Sequence, residues 1–227
     1  MSFRLRSLSI PRLSAGALLA CAVALGHLSA ATGGSIRVEI KDPKGAPVPD
    51  AVASLIPLDT PARTTPPTTP IVIVQDKEEF QTYVTAVVVG TQVSFPNRDK
   101  VDHHVYSFSK PKNFDIPLYR GEARELITFE QPGIVKIGCN IHDWMSAYIV
   151  VLATPFFAKS PNDGIAPISG LPSGRYRLEV WHPRVAKSVD REVTVDTGNP
   201  ATQVISVTLG VDRRIRRAPE TDAGGYR

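Results

Sequence analysis

From residue 33 onward, the apolar residues of this chain come in short runs, and none of the runs keeps a helical period. Val, Ile, Thr, Tyr and Phe dominate them, and Gly, Pro, Asn and Asp separate them. Such residues, alternating with polar ones at a period of two, suit a strand with one buried face and one solvated face. The pattern predicts an all-β fold, with strands at 35–41, 51–56, 71–74, 85–89, 92–96, 104–108, 124–129, 133–139, 147–153, 174–181, 191–195 and 203–209. One helical turn is predicted near 76–80, and Gly90-Thr91 and Pro132-Gly133 stand where turns are needed.

Two breaks divide the strand pattern. Residues 58–70 are dominated by Pro and Thr, including Pro61, Pro66, Pro67 and Pro70, a composition that is extended and cannot join a central strand. A second break runs over 154–161, ahead of Asn162-Asp163-Gly164. The block between them, 71–154, is expected to be one unit, with the flanks 34–57 and 160–210 as halves of another. Insertion of one domain into another is tolerated where the termini of the insert lie close together.

The first 31 residues read as an export signal. Arg4, Arg6 and Arg12 precede an apolar run from Leu13 to Leu28, and Ser29-Ala30-Ala31 offers small residues for cleavage. Leu18-Leu19-Ala20-Cys21 also resembles a lipoprotein signal, against which Leu19 is bulky, so membrane attachment through Cys21 is the secondary expectation and a periplasmic protein the first. Three of the four net positive charges of the chain come from these arginines. The remainder is close to neutral, which excludes a nucleic-acid footprint. Arg213, Arg214, Arg216 and Arg217 belong to a basic tail, 211–227, read as solvated.

Export sharpens the meaning of the two cysteines. With Cys21 removed, Cys139 has no partner for a disulfide in an oxidising compartment, where a bare thiol is open to oxidation. It stands in Cys139-Asn140-Ile141-His142-Asp143-Trp144-Met145, which sets a thiolate, an imidazole and a thioether on one short loop. Two histidines, a cysteine and a weak axial methionine are the ligands of a mononuclear electron-transfer copper site. His103-His104 supply candidates for the second histidine. Strand parity puts Val135, Ile137 and Cys139 on one face, and Met145, Ala147, Ile149 and Val151 on one face of the next strand, so both sulfurs are expected at the same end of a sandwich.

Together these residues resemble the cupredoxins, nearest in loop spacing to amicyanin- and pseudoazurin-like small blue copper proteins, over about 71–154. Val93-Ser94-Phe95-Pro96-Asn97, Val105-Tyr106-Ser107-Phe108-Ser109 and Cys139-Asn140-Ile141-His142 are similar to exported plastocyanin-like bacterial proteins carrying a methylamine-utilisation label. The resemblance implies a Greek-key β-sandwich holding one copper ion. It implies His103, Cys139 and His142 as equatorial ligands and Met145 as axial, and its pattern selects His103 over His104. It also implies that Asn97 hydrogen-bonds near the cysteine sulfur and ties the ligand loops together, that Trp144 packs over the site, and that the exposed edge of His142 meets a redox partner protein. Asp143-Trp144 depart from the family, and Asp143 adds a negative charge that favours Cu(II). The flanks resemble carboxypeptidase regulatory-like (transthyretin-like) β-sandwiches, through the 34–51 stretch and through Ile168-Ser169-Gly170-Leu171-Pro172-Ser173-Gly174-Arg175-Tyr176. His182 is read as structural or interfacial.

A site whose positions are filled by protein ligands leaves none open for substrate, so the expectation is an electron carrier and not an enzyme. Copper storage or delivery by the same ligands, and a metal-free cell-envelope binding module, are the alternatives.

Overall fold

The computed structural model describes residues 33–122 and 125–212, and among them every helix-length or ladder-forming element is a β-strand. The predicted export segment, 1–31, and the tail from residue 213 onward lie outside the described residues. The chain opens with β1 (Gly34–Lys41) and β2 (Val52–Pro57). The middle carries β3 (Ile71–Val72), β4 (Gln75–Asp76), β5 (Glu79–Phe80), β6 (Val84–Val88), β7 (Thr91–Ser94), β8 (His103–Ser109), β9 (Lys112–Tyr119), β10 (Ile127–Phe129), β11 (Gly133–Gly138) and β12 (Ser146–Leu152). It closes with β13 (Phe157–Lys159), β14 (Ile165–Leu171), β15 (Gly174–Trp181), β16 (Val189–Val195) and β17 (Ala201–Ser206).

Alternation decides which faces are buried. Along β1, Ile36, Val38 and Ile40 are buried while Arg37 and Glu39 turn outward and pair with each other. The middle strands assemble into a five-stranded sheet, β6-β12-β11-β8-β9, and a three-stranded sheet, β10-β7-β3. Phe95, Val105, Phe129, Val135, Ile137 and Ile149 are among the residues that fill one core drawn wholly from this middle segment. The flanking strands form β14-β1-β17 and β13-β2-β15-β16 around a second core that includes Ile36, Leu55, Leu171, Tyr176 and Leu178. Fully burying each such aliphatic side chain contributes about 1.5–3 kcal/mol. A third, smaller cluster joins the two sets: Val52 and Trp181 meet Val84, Val150 and Tyr148, with the Tyr148 and Trp181 rings 5.6 Å apart and nearly edge to face.

Several elements differ from the sequence expectation, for identifiable reasons. The strands β9, β13 and β14 were not expected, and each lies at the edge of its sheet. Edge strands tolerate proline, so Pro117 within β9 and Pro167 within β14 do not break them. The predicted helical turn at 76–80 is instead the β4–β5 hairpin, whose two turn residues, Lys77 (φ 55°) and Glu78 (φ 57°), both adopt the left-handed region. That geometry is what a two-residue turn between twisted strands requires. Of the described part of the predicted 124–129 strand, Ile127–Phe129 pairs, with β7.

Candidate metal centre

Gly138 at the end of β11 faces Ser146 at the start of β12, so residues 139–145 form the reversal between two neighbouring strands. The reversal is closed by backbone bonds, with the Cys139 N–H donating to the Met145 carbonyl (3.2 Å) and the Met145 N–H to the His142 carbonyl (2.9 Å). Cys139 and Met145 are both buried in the core of the middle segment, on the face that carries Val135, Ile137, Ala147 and Ile149. Strand parity therefore delivers both sulfurs inward, at one end of the sandwich.

The second histidine comes from β8. Its pairing with β9 shifts register between His103 and Val105, an irregularity of the kind that re-aims side chains next to functional sites. His103 turns into the core and is wholly buried. His104 turns outward to hydrogen-bond the exposed Asp115 carboxylate. The sequence pair His103-His104 is thus separated by the strand, and the inward member stands beside the loop.

Three donor atoms converge there. Cys139 Sγ lies 3.9 Å from His103 Nδ1 and 3.8 Å from His142 Nδ1, and the two Nδ1 atoms are 3.2 Å apart. Among the described residues this is the one group of three His, Cys, Asp or Glu side chains with ligand atoms close enough to share a metal ion. A first-row ion held about 2.0 Å from nitrogen and about 2.3 Å from sulfur, spacings usual for zinc, needs trigonal donors about 3.5–3.8 Å apart. The observed triangle, with edges of 3.2, 3.8 and 3.9 Å, comes within a few tenths of an ångström of that spacing. Its donors, a thiolate and two imidazoles with a thioether on the same loop, have the softness that suits copper.

Each histidine presents its other ring nitrogen to a carboxylate. His103 Nε2 is 2.7 Å from Asp99 Oδ2, and His142 Nε2 is 3.9 Å from Glu78 Oε2. Asp99 accepts more than this one bond. Its Oδ1 takes the Lys77 N–H (2.6 Å) and its Oδ2 the Glu78 N–H (2.8 Å). Burial pushes the Asp99 carboxyl up, but the bonds from His103 and from the two amides together outweigh it and hold the group below the usual aspartate range. Neither Asp99 nor Glu78 stood out in the sequence. Asp99 precedes His103 by four residues in a polar loop, which was the available signal, whereas Glu78 comes from a distant hairpin.

The remaining predicted residues are placed as follows. Trp144 packs its ring 5.3 Å from that of His142 and donates its indole N–H to the Glu78 carbonyl (2.9 Å). With Trp144 and Glu78 over it, the His142 side chain is only 12% exposed. Asn97 donates to the carbonyls of Val101 (2.9 Å) and Tyr119 (3.0 Å) and accepts from the Asp99 N–H (2.9 Å). It thus organises the loop before His103 instead of bonding near the Cys139 sulfur, because its backbone is bridged to Gln75 on one side and Gly121 on the other. Asp143 is exposed. His182 is buried in the flanking strands' territory, where its Nδ1 accepts the Arg184 N–H (3.1 Å).

No protein-family model matches the sequence, and no curated protein matches it. Among solved structures, part of the chain is similar to a copper-containing nitrite reductase from Thermus scotoductus, at 27% identity and a TM-score of 0.36 over 42% of this chain and 25% of that one. It is also similar to a mutant of amicyanin in the Cu(I) state, at 23% identity and a TM-score of 0.35 over 44% of this chain and 98% of that one. A purple cupredoxin from Nitrosopumilus maritimus is similar at 23% identity and a TM-score of 0.32, over 36% of this chain and 99% of that one. The chain thus spans a quarter of the length of the nitrite reductase that it matches.

Proposed function

We propose that this chain is an exported copper protein of the cupredoxin type, which carries single electrons through one mononuclear blue copper site and catalyses no reaction of its own. The observation that carries the reading is the triangle of His103, Cys139 and His142 donors, built on a reversal that also returns Met145 to the same core. In this reading the three are the equatorial ligands and Met145 is the axial one. Bound there, copper would supply a one-electron Cu(I)/Cu(II) couple.

The residues of the chain do the rest. The paired ends of β11 and β12 hold the Cys139–Met145 reversal in one shape, and the buried core behind it resists rearrangement. The Asp99 carboxylate accepts from His103 Nε2–H, which leaves the Nδ1 lone pair free to face the thiolate. Ile141, exposed beside the covered His142, and Trp144 mark the side from which a redox partner protein approaches. Residues 71–154 act as a cupredoxin domain inserted into a second, transthyretin-like sandwich formed by 34–57 and 160–210, in a periplasmic protein.

The test is titration of the protein with Cu(II), followed by optical and EPR spectra and voltammetry. An intense thiolate charge-transfer band towards the red end of the spectrum and a reversible one-electron wave are expected, both lost in Cys139→Ser. A colourless protein that takes up only Cu(I) would replace electron transfer with copper storage or delivery. Metal uptake unchanged by Cys139→Ser would leave a binding module that needs no metal.

A further inference from the structure

The β4–β5 hairpin is short and gives the middle core one apolar side chain, Phe80. It holds two consecutive non-glycine residues, Lys77 and Glu78, in the left-handed region. Such backbone is strained for residues that carry a Cβ and persists only where the surroundings over-determine it. Here the β4–β5 pairing sets the turn, and one side chain holds both of its amides, since each donates to Asp99. The same carboxylate receives His103 Nε2, and the hairpin in turn presents the Glu78 carbonyl to the Trp144 indole and the Glu78 carboxylate to His142 Nε2.

We propose that Asp99 is the positioning residue of the whole centre: its one carboxylate fixes the ring of His103 and buckles the Lys77-Glu78 turn as a strap over the outer edge of His142. The inference rests on the copper reading for its redox consequence and on geometry alone for its structural one. Oxygen atoms placed behind ligand imidazoles raise ligand basicity, and a negative charge near the ion stabilises the more highly charged state. Asp99, in direct contact with His103, therefore favours Cu(II) over Cu(I). Glu78, at 3.9 Å from His142 Nε2, lies beyond direct hydrogen-bond reach and acts in the same direction more weakly. With the strap in place a partner approaching this side would meet Trp144 and Glu78 beside the His142 imidazole, whose side chain is 12% exposed.

The experiment compares wild type with Asp99→Asn, Glu78→Gln and Asp102→Asn. The last removes an equal charge from the same loop, where Asp102 pairs with the exposed Arg120 and not with a histidine. In the copper-loaded proteins, Asp99→Asn is expected to weaken Cu(II) binding about 10–100-fold and Cu(I) binding less, raising the reduction potential. Glu78→Gln should shift both in the same direction by less, and Asp102→Asn should match wild type. In the metal-free proteins, amide exchange at Lys77 and Glu78 should accelerate in Asp99→Asn alone, and nitrogen NMR of wild type should show His103 protonated on Nε2. An Asp99→Asn protein equal to Asp102→Asn in potential and in exchange would overturn the proposal, as would a His103 protonated on Nδ1. Should Asp99→Asn not fold, the wild-type NMR spectrum and Glu78→Gln still decide. A wild type without the thiolate band sinks the copper reading, while the metal-free measurements judge the buckle independently.

Discussion

The two sets of strands solve the same packing problem and use their buried polar groups differently. In the flanking set, Ser160 serves the backbone: its Oγ accepts the Ala51 N–H and donates to the Val48 carbonyl, and Thr154, at the end of the middle block, donates its Oγ1–H to the flanking Leu55 carbonyl. In the middle set, the buried polar residues include His103, Asn97, Gln75 and Tyr119, and their bonds tie the loop before His103 to the end of β9 and to the Phe95 carbonyl. Tyr119 pairs with His103 across β8 and β9, donates to the Phe95 carbonyl and accepts from Gln75. One set stitches loops to a scaffold, and the other holds a site in place.

That contrast breaks most visibly under core truncation. Phe95→Ala, at a wholly buried position of the middle core, is expected to cost about 3–5 kcal/mol and to weaken metal binding as well. Leu178→Ala, equally buried in the flanking core, should cost about 2–5 kcal/mol and leave the spectrum of the loaded protein unchanged. Chemical denaturation paired with copper titration separates the two; a spectral change in Leu178→Ala would end the comparison.

A subtler probe is Tyr119. Burial pushes its hydroxyl up to about 12, against a hydrogen bond from Gln75 that acts the other way. A group with a raised folded pKa contributes stability that is whole below its unfolded value, near 10, and is lost as pH rises through about 12. Tyr119→Phe should cost about 1–3 kcal/mol at neutral pH. Its deficit against wild type should shrink as pH climbs through that window, as read from urea midpoints. A deficit that stays constant with pH would remove Tyr119 from the network behind His103.

The smallest effect belongs to the flanking surface. Arg175 holds Asp59 by a 2.7 Å ion pair and donates its backbone N–H to the same carboxylate, pinning the start of the proline-rich segment to β15. Arg175→Ala should speed proteolysis within 58–70 and alter neither midpoint nor metal spectrum.

Much of this was legible from residue types alone, and the reasons can be traced. Alternation exposed the central strands β1, β8, β11, β12 and β15, because a buried face on each forces a period of two. Among the edges, β3, β6, β10, β16 and β17 were expected, whereas β9, β13 and β14 were missed; Pro117 and Pro167 lie inside two of these, where an edge position tolerates proline. Within the candidate site, Cys139, His142 and Met145 could be read because they share one short loop. Asp99 and Glu78 could not, because what joins them is a pair of hydrogen bonds from a left-handed turn to a carboxylate some twenty residues away in the chain. Asn97 was expected to bond near the Cys139 sulfur and tie the two ligand loops together, and its side chain bonds instead to Val101, Tyr119 and Asp99, on the His103 side.

The pairing of β1 with β14 and β17, and of β2 with β15, has a consequence for the order of folding. Strands that begin the chain wait for partners that arrive more than a hundred residues later, so the flanking sheets close last. Once the middle segment has folded, its two ends are already near each other, and the loop to be closed shrinks from roughly a hundred residues to the short connectors. By the logarithmic cost of loop closure this saves about 1.5 kcal/mol. An ion that stabilised the middle segment would by the same reasoning speed the completion of sheets it never touches.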